Sequence, residues 1–142
     1  MQTADPRAGF TLLELLVVLA VLGLLLALAT PSYLRWRDAS LLRQAQTLVA
    51  AELDRARSEA KRTNSPRSVT WTATSFAGRP LEGGVTIASP PQTVTYVQPY
   101  GTLQAAGGTL PAYEITLRRG TLSGPVRVVG VFGKAVVKAV GP

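Results

Sequence analysis

"GFTLLELLVVLAVLGLLLALATPS", residues 9–32, decides how this chain is organised. From Phe10 to Ala29 only Thr11 and Glu14 are polar. At about 1.5 Å per residue a helix of that length spans roughly 30 Å, the hydrocarbon thickness of a bilayer. The run has no polar face, which argues against an amphipathic helix of a globular core. Glu14 interrupts it. A charged carboxylate costs about 2.5–3.5 kcal/mol near the centre of an inserted helix, and less toward an end, where Glu14 lies.

A secretory signal peptide is the rival reading, because Ala27-Leu28-Ala29 has the form of a cleavage site. Three features oppose it. The leader "MQTADPRAG" is barely basic, since Asp5 offsets Arg7. The apolar run exceeds the usual length for such a peptide, and it contains an acid.

The Gly-Phe junction, Glu14, the apolar run and Pro31 together resemble the N-terminus of a type IV pilin or type II secretion pseudopilin. That resemblance implies cleavage after Gly9 by a prepilin peptidase and methylation of the new terminal residue, Phe10. It implies a leader at 1–9, a transmembrane and assembly helix at 10–30, and a globular domain at 31–142. It also implies a role for Glu14. The free amine of Phe10 and a carboxylate four residues on, roughly 6 Å along the helix, can neutralise each other between neighbouring subunits in lipid. The alternative is that Glu14 stays protonated or reaches the interface. One signal points the other way. Arg35, Arg37 and Arg43 follow the segment and only Arg7 precedes it, so the positive-inside rule alone would leave the domain in the cytoplasm. The resemblance implies the inner membrane with the C-terminal domain outside the cytoplasm. The motif is more specific than a charge count, so that is the orientation expected.

Past the span, Pro31 lacks an N–H and should kink or interrupt the helix. Apolar residues then recur at Leu34, Leu41, Leu42, Ala45, Val49, Leu53, Ala56 and Ala60, one stripe of an amphipathic helix. Asn64 and Pro66 are stop signals, so the helix should end at about residue 62. The pattern then changes to period two. "SVTWTATS", "GVTIAS", "TVTYVQ", "YEITLRR", "VRVVGVF" and "KAVVKA" read as strands, separated by "AGRP", "SPPQ", "PYG", "AAGG", "LSGP" and "VFGK". The predicted fold is α+β and pilin-like: one long helix packed on a small, largely antiparallel sheet.

The later segments refine the resemblance. "AAELDRARSEAKRTNSPRSVTW", "VTYVQPYGTLQAAGGTLPAYEITLR" and "VRVVGVFGKAVV" are similar to the helix end and strand blocks of the GspH/FimT group of minor pseudopilins and minor pilins. This implies a filament subunit near the tip or initiation complex, with other pilins or pseudopilins as partners. It leaves open whether the system is a secretion pseudopilus or a pilus.

Composition narrows the chemistry. The 142 residues include neither cysteine nor histidine, which removes thiol chemistry and the commonest general base and metal ligand. No phosphate-binding glycine loop is complete; Gly133-Lys134 has Val128 where a first glycine would stand. Ser58 has no histidine to activate it. The acids of the long helix interleave with arginines, as in Arg55 and Glu59, and read as a solvated ion-paired face. No enzyme, cofactor or metal is expected.

The net charge of +7 lies mainly in the strand region: residues 63–142 carry +5, against +1 for residues 52–62. Arg118, Arg119, Arg127, Lys134 and Lys138 are therefore candidate contacts for DNA phosphates, with Tyr113 and Phe132 as candidate stacking partners. Some FimT-type proteins implicated in DNA uptake carry Gly-Arg-x-Arg near the end. Here the matching stretch is Gly133-Lys134-Ala135-Val136, which keeps one charge. The alternative function is thus a DNA-binding minor pilin for natural transformation, and the bland reading of these cations is solubility.

Overall fold

A computed structural model describes residues 10–104 and 112–142. The leader with Gly9, and the "AAGG" turn at 105–108, lie outside the described residues. The chain divides into two compact units, Met1–Trp36 and Arg37–Pro142.

A single helix, α1, runs Leu12–Thr63. Thr11 caps its start: the Thr11 Oγ1 accepts the Glu14 N–H at 3.2 Å, and the Thr11 carbonyl accepts the Leu15 N–H at 3.2 Å. A helix leaves its first N–H groups unpaired, and a threonine at this position satisfies one of them. Helix α1 is continuous through Pro31. Of the two outcomes expected there, interruption is not what the chain does; one proline removes one hydrogen bond while the turns on either side keep theirs. The helix stops where the sequence reading placed its end. Asn64 turns the backbone left-handed, at φ 47°, and Lys61 and Arg62 sit favourably beside the unpaired carbonyls of the last turn.

In the first unit, residues 10–27 and 32–36 are exposed on every side of the helix. An exposed apolar helical surface of this length is consistent with anchoring in a membrane.

In the second unit, Leu42, Ala45, Val49, Leu53, Ala56 and Ala60 form the buried stripe. Leu41 is half-buried and stands at its margin. The strands are β1 (Arg67–Thr70), β2 (Ser75–Phe76), β3 (Arg79–Pro80), β4 (Thr86–Ile87), β5 (Thr93–Val97), β6 (Thr102–Leu103), β7 (Tyr113–Arg119), β8 (Leu122–Val129) and β9 (Lys134–Val137). They form sheets ordered β1-β5-β6, β2-β3 and β4-β7-β8-β9, and every pairing is antiparallel. The expected fold class is therefore observed, with the strands divided among three sheets. Alternation sends Ile115 and Leu117 of β7, and Val126 and Val128 of β8, into a core shared with Trp71, Phe76, Val94 and Tyr96. Each such side chain contributes about 1.5–3 kcal/mol when removed from water.

Two local readings change. "SVTWTATS" is not one strand: β1 ends at Thr70, and Trp71 forms an isolated bridge to Phe76. The Thr72 hydroxyl accepts the N–H of Ser75 at 3.1 Å, a side-chain turn that competes with extended backbone. Conversely, Gly124-Pro125 of "LSGP" is not a turn but part of β8, paired with Leu117 and Thr116. Gln46, fully buried on the helix, packs against this part of the strand. Its Nε2 donates to the Lys138 carbonyl at 3.0 Å and more weakly to that of Pro125 at 3.4 Å. A Cβ on Gly124 would stand 2.6 Å from that Nε2, so the strand can pass here only without a side chain.

Candidate functional site

Phe10 lies just ahead of α1 with its ring 82% exposed, and Glu14 is also exposed. Thr11 and Glu14 occupy the N-cap and third helical positions, the spacing of a capping box, of which the Thr11 half is formed. The spacing Thr-x-x-Glu was legible in the sequence and its capping role was missed. It gives the acid a local function besides any intersubunit one: a carboxylate in the first turn favours the positive end of the helix dipole.

The second candidate is the outer face of the β4-β7-β8-β9 sheet. Paired residues in an antiparallel ladder project to the same side. Arg118 pairs with Ser123, Glu114 with Arg127, Arg127 with Val136, and Val129 with Lys134. The Lys138 N–H continues the ladder onto the Pro125 carbonyl at 3.1 Å. Arg118, Arg127, Lys134 and Lys138 therefore share one face, and all are exposed. Two qualifications come from the geometry. Arg127 is ion-paired with Glu114 across β7 and β8, so its charge is neutralised on the spot. Arg119 is not on this face at all: it projects to the opposite side and its Nε meets Asp38 of α1 at 2.6 Å. Arg118, Lys134 and Lys138 carry no ion pair among the described residues.

Neither aromatic candidate joins them. Tyr113 pairs with buried Val128, so it faces inward. It packs edge-on against Trp71, with ring centroids 6.4 Å apart, and its hydroxyl donates to the Thr93 carbonyl at 3.4 Å. Phe132, half exposed in the β8–β9 turn, lies under the Arg57 guanidinium at 5.3 Å, a cation–π contact. That turn is also held by Tyr96. The Tyr96 hydroxyl donates to the Gly133 carbonyl at 3.0 Å, and burial together with the Asp54 charge pushes its pKa up to about 12. Gly133 has φ +57°, and a Cβ there would stand 2.7 Å from Leu103. The glycine answers a packing need of the turn, independent of any ligand.

Of the helical acids, Glu59 pairs within the helix as its spacing predicted, whereas Glu52 and Asp38 pair with arginines of the strand region. Arg55 Nε meets Glu59 at 3.1 Å, and Glu52 reaches across to Arg79 at 3.1 Å. These are exposed or half-exposed pairs that offer no free acid beside a free base.

Residues 5–30 match the family described as the prokaryotic N-terminal methylation motif. No curated protein and no solved structure matches the chain. The motif implies, in general terms, processing by prepilin peptidase and assembly with other pilins. A type IV prepilin signal, a long N-terminal helix behind it and small antiparallel sheets beyond fit a pilin-like protein.

Proposed function

We propose that this chain is a minor pilin or minor pseudopilin of a type IV pilus or type II secretion pseudopilus, placed near the filament tip or in the initiation complex. It is cut after Gly9 and methylated on Phe10. Residues 10–30 anchor it in the inner membrane, with a bend at Pro31, and residues 31–142 fold outside the cytoplasm. The Glu14 carboxylate pairs with the Phe10 amine of a neighbouring subunit as the chain enters the filament. The observation that carries this reading is the methylation motif at residues 5–30, whose apolar helical stretch is exposed at every residue described in it. Intact-mass and N-terminal analysis of membrane-extracted protein should find N-methyl-Phe10. A mature chain starting at Thr30 would replace the filament reading with a secretory one. Glu14→Ala should insert and be cut as before, since it removes a polar penalty, yet fall sharply in filament fractions. Normal incorporation would leave the carboxylate without an assembly role.

A second reading, DNA binding for natural transformation, has Arg118, Lys134 and Lys138 gathered on one face in its favour. Against it stand the neutralised Arg127, the diverted Arg119 and the absence of Tyr113 from that face. The charge-reversing triple change Arg118→Glu, Lys134→Glu and Lys138→Glu should abolish duplex binding by the detergent-solubilised chain if the face is a site. The same changes at Arg55 and Arg57 should then matter little. Binding should weaken with salt, with a log–log slope of roughly 0.9 per phosphate contact. No binding at low salt leaves these charges as solubilising groups.

A further inference from the structure

We propose that Tyr33, Arg35 and Trp36 form a collar that binds the phosphate headgroups of anionic phospholipid where α1 leaves the bilayer, fixing how deep the span sits. The proposal rests on the reading that residues 10–30 span the membrane. Length gives the first argument. From Leu12 the helix rises roughly 32 Å to Tyr33 and 36 Å to Trp36 at about 1.5 Å per residue. Those levels fall beyond a hydrocarbon core of about 30 Å, with Tyr33 inside and Trp36 at the outer limit of the headgroup layer, about 5–7 Å thick on each side.

Exposure gives the second. Tyr33 and Trp36 are 61% and 62% exposed, and their rings lie 6.1 Å apart and tilted by 33°. Large amphipathic rings left uncovered at this level suit the interface, where the ring body meets acyl chains and the polar tip meets water. Charge gives the third. Arg35 lies between them in sequence and is exposed, and Arg37 and Arg43 follow, also exposed. Asp38 is the only acid from Pro31 to Ala51, and it is engaged by Arg119. No ion pair is made by these three arginines among the described residues. Guanidinium groups bind phosphate through paired N–H donors, so a headgroup phosphate supplies the missing counter-ion. Arginines on this side then serve as headgroup ligands, which accounts for a charge distribution opposite to the positive-inside rule.

The two tryptophans make the test direct. Trp71 is buried, with its Nε1–H on the Pro90 carbonyl at 3.0 Å, so Trp36 is the reporter. The full chain carrying Trp71→Phe is reconstituted in vesicles of phosphatidylcholine alone and of phosphatidylcholine with phosphatidylglycerol. The difference between wild type and Trp36→Phe gives the same signal should Trp71→Phe fold poorly. Trp36 emission should shift to the blue and lose quenching by aqueous acrylamide. Lipids brominated near the carbonyl groups should quench it more than lipids brominated at the chain ends. Reversing Arg35 and Arg37 to Glu should undo the effect of phosphatidylglycerol and leave the phosphatidylcholine result intact. A chain that resists carbonate extraction but keeps Trp36 fully open to acrylamide overturns the collar. So does protection of Trp36 seen only in assembled filaments, which would assign the rings to a neighbouring subunit. A chain removed by carbonate instead overturns the membrane-span reading beneath it.

Discussion

Residues 12–36 and 37–63 belong to one continuous helix, yet they solve opposite problems. The first stretch carries apolar side chains on every side, and its described residues are all exposed. The second concentrates them in one stripe and buries that stripe against the chain's own sheets. The same backbone geometry thus holds a segment whose described apolar side chains are exposed and a segment that is half of a core. A helix's hydrogen bonds are satisfied internally in either setting, so the side-chain pattern alone selects the surroundings.

The sharpest way to break that contrast is a matched pair of truncations. Leu53→Ala removes a fully buried side chain and should destabilise the domain by about 2–5 kcal/mol. Leu19→Ala, in the exposed half, should leave domain stability unchanged. Urea unfolding of the detergent-solubilised chain, followed by the fluorescence of buried Trp71, measures both. Equal losses would mean that the first stretch contributes to the domain's core.

Alkaline pH should separate the halves next. Tyr96 is pushed from 10.0 to about 12 by burial and by the Asp54 charge. Its folded pKa is raised, so its contribution is fully present below pH 10 and is lost as pH rises through 12. A rise of that size corresponds to about 2–3 kcal/mol. Domain stability should fall across that window while residues 12–36 stay helical, and Tyr96→Phe should flatten this part of the pH profile. An unchanged slope in Tyr96→Phe would assign the alkaline loss elsewhere.

The smallest effect tests how closely the amphipathic half approaches its sheet. Gly124→Ala should cost about 1–3 kcal/mol, because the new methyl meets Gln46 at 2.6 Å. Gln46→Ala costs stability of its own by releasing the Lys138 carbonyl, but the double variant should lose less than the sum of the two. Additive losses would show that the two residues do not meet as described.

Much of this was legible because it is local. The apolar helical run, the Thr11-to-Glu14 start, the Asn64 stop and the alternation of "YEITLRR" each depend on residues within a few positions of one another. Alternation already implied that Arg118 and Arg119 face opposite ways, although the sequence reading grouped them.

The remainder depended on partners far along the chain. Arg119 finds Asp38 at a separation of 81 residues, and Gln46 finds the Lys138 carbonyl at 92. No periodicity reports such pairs, since they exist only after the sheet has docked on the helix. That docking placed Gly124-Pro125 inside a strand, set Phe132 under Arg57, turned Tyr113 onto Trp71 and joined Arg127 to Glu114. The sequence by itself determined the long helix, the approximate place of most strands and which segment is apolar enough to enter a membrane, but not the break after Thr70 or the inclusion of Gly124-Pro125 in a strand. Only the tertiary structure decided which charges remain free on the surface, because neutralising a charge requires an opposite one brought within a few ångströms by the fold.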